Sequence, residues 1–307
     1  MFQFIYDQSI AKNTYRWHVF NLIRIRLSKY FDPAVRYTLH GNRISLPFSH
    51  SLPIQLKNHP LYSANLTRLA GFLRVQDGHL KMIDVGANIG DSFFSVDHRS
   101  GDSYLLIEGE EKFFAFLTAN TRHDPSVARE QALLMEKESR TKDVLVIRQG
   151  NASLELASPK SAGSLTVCTT LERVLKSHPQ FGNSNLLKVD VEGYDGRVLR
   201  GGRKFLSKTK PVIFFEHHPR KIAALGDDTL VIFRELAKLG YRSHIVYDNL
   251  GFLLGVFPSA IPDRIDDLVW YGRNKGIYFD ICCFHDGRKK LQERFLEEER
   301  SFYRKSL

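Results

Sequence analysis

Runs of consecutive apolar residues alternate with segments in which apolar residues return every three or four positions, and this alternation fills most of the chain from residue 61 onward. Unbroken apolar runs fit strands buried on both faces; the three-to-four spacing fits helices laid over them. Leu66, Leu69, Ala70 and Leu73 place a helix over 61–74. It leads into a strand at 80–85, a helix from about 91, a strand "SYLLIE" at 103–108 and a helix "EEKFFAFLTAN" at 110–120. A diffuse stretch at 125–163 includes "DVLVIRQGNASLELASP", which fits short strands and turns. The rhythm resumes with a strand at 164–169 and a threonine-capped helix "TLERVLKS". Strands follow at 186–191 and 212–216, separated by a helix at 194–206 that gathers Val198, Leu199, Phe205 and Leu206 on one side. A helix at 229–239 takes Asp227 or Asp228 as its cap and Gly240 as its stop. Two strand runs in 241–257, joined by a turn of Asp248, Asn249 and Gly251, then form a hairpin.

This rhythm predicts an α/β fold with a doubly wound, mostly parallel sheet that finishes in an antiparallel hairpin. Residues 1–60 depart from it. "LIRIRL" at 22–27 alternates apolar and basic residues as a half-exposed strand does, and a helix drawn there has no clean apolar face. The chain therefore divides into an N-terminal extension at 1–60, a domain at 61–285 and a charged helical tail at 286–307.

Composition narrows the classes. With 307 residues the chain can bury a full core. No apolar stretch is long enough to cross a bilayer, and the opening "MFQFIYDQSIAKNTYRWH" lacks the pattern of a secretory signal, which points to the cytoplasm. Cys168, Cys282 and Cys283 have neither a disulfide framework nor zinc spacing and read as small core residues. A net charge of +10 favours anionic partners, with the inner face of a membrane among them. The basic residues are spread along the chain, and in the tail "GRKKLQERFLEEERSFYRK" they alternate with glutamates, as on a solvated terminal helix. No zinc finger, ribonucleoprotein aromatic motif or GxxG clamp is present in a suitable context, so nucleic acid is not an expected partner.

The candidate chemistry begins at "MIDVGANIGDS", residues 82–92. A strand ending in Asp84 and Val85 turns through Gly86, Asn88 and Gly90 into a helix, the place where doubly wound sheets bind nucleotide-like ligands. The dinucleotide fingerprint wants a second glycine where Asn88 stands, and the Walker lysine is absent because Asp91 and Ser92 follow Gly90. Asp91 at the helix start competes with a phosphate for the positive end of the helix dipole. A zwitterionic or cationic ligand without phosphate suits the turn. Glu108, closing the next strand, is placed to accept hydrogen bonds from a ribose diol; taken alone it is also an ordinary strand-end acid.

"IDVGANIGDS", "LLIEGEEKFFAFLTAN", "LLKVDVEGYDGRVLRGG" and "KPVIFFEHHP", in that order, together with "LGYRSHIVYDNLGFLLG", resemble the FkbM-type methyltransferases over roughly residues 42–284. The resemblance implies a class I methyltransferase (Rossmann-like) fold, with a seven-stranded, mostly parallel sheet whose last strand is antiparallel. It implies S-adenosylmethionine as cofactor, held by Asp84, Gly86, Asn88, Gly90 and Asp91, with Glu108 on the ribose. The family's "KxDxEG" segment becomes Lys188, Asp190, Glu192 and Gly193, and its strand-ending glutamate becomes Glu216. Asp195 departs from the family's usual glutamate. The implied activity is O-methyl transfer to a hydroxyl of a sugar, glycan or glycosylated natural product, anionic or lipid-linked acceptors included; N-methyl transfer and a non-catalytic binding module of the same fold are the alternatives.

An aliphatic hydroxyl must lose its proton, so a base at the strand ends is expected. His217 is the first candidate, with Glu216 as its orienting carboxylate; Asp190 and Glu192 are the other catalytic candidates. Asp190, Glu192 and Glu216 are also the ligand set for a divalent cation such as magnesium, if one is used. The plainer readings make Glu192 a cap for the helix starting near Tyr194, Asp190 a partner of nearby amides, and His217 with His218 a solvent-facing loop pair.

Overall fold

The computed structural model describes residues 1–11, 15–141, 144–149, 151–156 and 166–306. Positions 164 and 165 of the expected strand at 164–169, and parts of the diffuse 125–163 stretch, lie outside the described residues. A hairpin of β1 (Ala34–Leu39) and β2 (Asn42–Pro47) opens the strand series. The main sheet is built from β3 (Lys81–Val85), β4 (Ser103–Glu108), β5 (Val127–Gln131), β6 (Leu186–Val189), β7 (Val212–His217), β8 (Ser243–Asp248), β9 (Leu253–Pro258) and β10 (Phe279–Cys283). Its order is β9-β8-β10-β7-β6-β3-β4-β5. Strands β5, β4, β3, β6 and β7 run parallel, and the inner four are buried along nearly their whole length, as a sheet covered on both faces requires.

The far half of the sheet differs from expectation in one respect. The hairpin β8–β9 forms, with a bulge between Val246 and Tyr247, but it does not join β7 directly. β10 is inserted between β7 and β8, antiparallel to both, and β9 is an added eighth strand at the edge. The insertion turns Cys282 and Cys283, read only as core residues, into members of a central strand, where burial pushes both thiols up from their ordinary range.

Helices cover both faces, as doubly wound topology demands. One layer packs Leu66, Leu69 and Leu73 of helix Ala64–Asp77 and Phe113 and Leu117 of helix Glu111–Thr121 on the sheet. The other packs Val198, Phe205, Phe233 and Leu268 from four helices. The helix expected over 194–206 is two, Asp195–Gly201 and Arg203–Thr209. The break falls at a glycine pair pressed against its neighbours: a Cβ on Gly201 would lie 2.2 Å from the Met135 carbonyl oxygen, and one on Gly202 2.7 Å from Leu171 Cδ2.

The two flanking regions belong to the same body. Residues 22–27 are the last turns of helix Tyr15–Leu27, not a strand. The alternation misleads because Arg24 is the buried position: its Nη1 donates to the carbonyls of Phe48 (3.2 Å) and Ser49 (2.8 Å), while Leu22, Ile23 and Ile25 face outward. The tail forms helix Lys289–Ser306, which is docked rather than solvated. Phe295 is buried, and Glu299 takes a two-point ion pair from Arg68 at 2.5 and 2.8 Å. Removing one partner of a largely buried pair strands the other, so Glu299→Ala should cost about 3 kcal/mol in a denaturant melt; a change within ±0.5 kcal/mol, the range of surface substitutions, would make the contact incidental.

Candidate functional site

The strand ends of β3, β4, β6 and β7 open into a cleft of about 410 Å³, the size range of small-molecule sites. Its floor is the turn after β3. The amides of Gly86 and Ala87 donate to the Ile107 carbonyl at 2.9 and 3.0 Å, which folds the chain back over β4. Gly86 has φ +81, and a Cβ there would sit 1.8 Å from the Asp190 carbonyl oxygen. Asn88 is held in the left-handed region at φ 49, and its amide donates to Glu108 Oε2 at 2.8 Å. Gly90, at φ +91, starts the short helix Asp91–Ser95. Asn120 clamps the turn from behind, its Nδ2 donating to the carbonyls of Ile89 and Ser45.

Glu108 ends β4 with both carboxylate oxygens engaged, Oε1 accepting from the Glu110 amide and Oε2 from the Asn88 amide, each at 2.8 Å. Burial raises it to about 7 against the pull of those amides. Each oxygen keeps a lone pair for a further donor. On the floor, His50 Nδ1 accepts the Leu52 amide at 3.2 Å, so its Nε2 carries the proton, 3.3 Å from Asn88 Oδ1.

Lys188 is the centre of the acidic end. It is buried, 2.9 Å from Asp84 Oδ1 and 3.5 Å from Asp190 Oδ2, and it donates to the Gly86 carbonyl at 3.3 Å. Burial alone would lower its pKa, but Asp84, Asp190 and Asp91 hold it well above the usual lysine range. Burial raises Asp84 and Asp91, against the opposing pull of Lys188. Asp195 accepts the amides of Val191 (3.3 Å) and Gly193 (3.1 Å) and so ties the turn after β6, while the helix it begins has no side-chain cap from Glu192. Glu192, at φ 57, pairs with Lys221 instead.

The alternation of β7 separates the two residues expected to work together. Glu216 lines the cleft, its Oε1 without a hydrogen-bond partner, and burial together with the charges of Asp190, Asp195 and Asp280 pushes it well above the ordinary range. His217 points through the opposite face, 1% exposed, its ring 4.9 Å from that of Phe233, and burial lowers it to about 3. His217 therefore does not reach the cleft and is not the base. His218 does line it, but its Nδ1 accepts the Lys221 amide at 3.4 Å, which leaves the other ring nitrogen as a donor. The cation set also fails to assemble: among the described residues no group of three His, Cys, Asp or Glu is placed to hold a metal ion.

Residues outside the expected set complete the walls. Tyr62 and Tyr278 hydrogen-bond to each other, and Asn249 and Leu250 come from the β8–β9 turn. Behind the wall, Asp280, on β10 beside Glu216, accepts from Asn65 Nδ2 at 2.8 Å and is raised by burial to about 7. The apolar run "IYFDICCF" at 277–284 was the signal for this wall.

The cleft thus offers a sharp glycine turn whose backbone forms its floor, a carboxylate placed where a diol would bind, and an acidic end that attracts a cation. A sulfonium nucleoside fits all three.

Residues 84–243, just over half of the chain, match the family described as "Methyltransferase FkbM domain". Among solved structures, the FkbM methyltransferase from Methylobacillus flagellatus KT is 15% identical, with 75% of this chain and 52% of that one covered and a TM-score of 0.36. The chain thus spans about half the length of that relative. The O-methyltransferase from Bacillus cereus in complex with SAH is 14% identical (76% and 88% covered, TM-score 0.39). The precorrin-6y C5,15-methyltransferase from Geobacter metallireducens GS-15 is 10% identical (71% and 87% covered, TM-score 0.36). No curated protein matches the chain.

Proposed function

The chain belongs to the FkbM methyltransferase family, and from that premise we propose that it is an S-adenosylmethionine-dependent methyltransferase that methylates a hydroxyl of a sugar, glycan or glycosylated natural product. The supporting observation is Glu216, a cleft-lining carboxylate with an unpartnered oxygen, whose affinity for a proton is raised well above the ordinary range by burial and by the neighbouring carboxylates. S-adenosylmethionine supplies the methyl group, its S–CH₃ bond breaking as the new O–CH₃ bond forms and the electron pair returning to sulfur.

The protein's share is placement and one proton. Gly86, Asn88 and Glu108 hold the nucleoside end; Asp84, Asp91 and Lys188 shape the methionine end. Asp190, at the lip of the same end, orients the acceptor. Glu216 takes the hydroxyl proton, and His218 donates to the acceptor beside it. Holding oxygen, methyl and sulfur in line accounts for most of the remaining acceleration. The acidity around Glu216, Asp190 and Asp280 also supports an amine acceptor as a second reading.

The test is transfer of labelled methyl to a panel of glycosides and their amino-sugar counterparts. Glu216→Gln should lower kcat by about 10²–10⁴ and leave S-adenosylhomocysteine affinity intact. Only the ionised carboxylate accepts a proton, so kcat of the parent enzyme rises with pH through a value above the ordinary glutamate range, and the variant's profile is flat. A variant that keeps both rate and profile removes Glu216 from the reaction. Exclusive transfer to the amines would select the second reading, and S-adenosylhomocysteine binding without transfer to either class would count for a non-catalytic module.

A further inference from the structure

Exposed large apolar side chains gather near the beginning of the chain. Eight of the fifteen exposed large apolar side chains among the described residues lie within residues 1–31, a tenth of the chain. Val19, Leu22 and Ile23 recur at three- and four-residue spacing on helix Tyr15–Leu27, so they share one face; Ile25 flanks it, and Tyr30 and Phe31 extend it past the helix end. Leu22 is 62% exposed and Tyr30 81%. The same stretch, residues 15–31, holds Arg16, Arg26 and Lys29, all exposed, and not one acid. An outward face that mixes aliphatic, aromatic and basic residues without acids is the composition of a helix that lies in the headgroup layer of an anionic bilayer.

We infer that this helix docks the enzyme on an anionic lipid surface. The apolar residues enter the acyl boundary, and Arg16, Arg26 and Lys29 meet lipid phosphates. Charge complementarity selects lipid over a second copy of the chain, because two such faces would bring six cations together with no acid between them. The dock is wired to the cleft. Arg24, on the inner side of the helix, holds the carbonyls of Phe48 and Ser49, and the Tyr6 hydroxyl donates to the His50 carbonyl at 3.0 Å. His50, Ser51 and Leu52 line the cleft directly after. A bilayer under this helix would therefore lie beside the part of the cleft that His50, Ser51 and Leu52 form.

The experiment is flotation of the full-length chain with vesicles of phosphatidylcholine alone and vesicles containing phosphatidylglycerol. Binding to the anionic vesicles, weakened by salt and absent from the neutral ones, is the expected result. Arg26→Glu with Lys29→Glu should weaken partition by tenfold or more, and Leu22→Glu with Ile23→Glu should abolish it. All four side chains are exposed, so S-adenosylhomocysteine affinity of both variants is unchanged; this also separates loss of docking from loss of the cofactor site. No binding to either vesicle, equal binding to both, or a dimer in sedimentation that Leu22→Glu with Ile23→Glu converts to monomer would overturn the inference.

Discussion

Gly86→Ala is expected to cost the fold about 5 kcal/mol or more, enough to leave little soluble, cofactor-binding protein, since whole domains are held by about 5–15 kcal/mol. Two penalties add. A side chain at φ +81 carries about 1–2 kcal/mol of backbone strain. The larger penalty is steric, because the new Cβ would lie 1.8 Å from the Asp190 carbonyl oxygen and 2.8 Å from its carbon. That neighbour is backbone. It is fixed by the Asp190 amide, which donates to the Val85 carbonyl at 2.9 Å, and by the pairing of Val85 with Val189 across β3 and β6. The clash cannot be relieved without opening the sheet at its centre. Gly71→Ala is the matched control: it lies inside helix Ala64–Asp77 with nothing within 4 Å of the added carbon. There alanine should stabilise by up to about 1 kcal/mol. Denaturant melts that rank the two variants as equals would remove the close approach as the reason for glycine at 86.

Glu108→Ala should weaken S-adenosylhomocysteine binding by about 10²–10⁴-fold, through two hydrogen bonds from a ribose diol to a charged acceptor at about 1.5–3 kcal/mol each. The loss also releases the Asn88 amide from Glu108 Oε2, so the turn after β3 loses its anchor. Glu108→Gln, which retains one acceptor oxygen, should recover part of the affinity. The pH dependence carries a sign. Ribose hydroxyls donate, so the ionised carboxylate is the binding form, and burial places its proton at about 7. Affinity of the parent enzyme should rise from pH 6 to pH 8 and level off, with a flat profile in Glu108→Gln. The same shift works against the empty protein. The folded state keeps a proton that the unfolded chain releases near pH 4.5, so the stability Glu108 contributes is full on the acid side and is lost as pH climbs to about 7. Calorimetric titration at several pH values decides all of this; an affinity unchanged in Glu108→Ala takes Glu108 off the ribose.

Four of the five parallel strands, β3, β4, β6 and β7, were readable from sequence because they are buried on both faces and their composition leaves few alternatives, whereas the half-exposed edge strand β5 was lost in the diffuse 125–163 stretch. β4 falls on the expected residues 103–108, and the glycine turn after β3 was legible because Gly86, Asn88 and Gly90 take left-handed backbone that glycine and asparagine adopt most easily. The rest depended on contacts distant in sequence. Nothing near residue 279 says that "FDICC" will slip between β7 and β8. His217 looked like a base because a neighbouring position in sequence is the opposite side in a strand, and only the placement of helix Val231–Lys238 decides which side is core. Arg24 hid a helix for a similar reason: its buried partners are carbonyls of residues 48 and 49.

The docked helix Lys289–Ser306 also braces the cleft from outside. Tyr303 donates to the carbonyl of Gly251, in the turn whose neighbours Asn249 and Leu250 form one wall of the cleft. That turn in turn presses on Leu61, next to Tyr62 on the same wall. This wall of the cleft therefore has two supports distant in sequence, Tyr303 from 52 positions later in the chain and Leu61 from the segment before the main sheet.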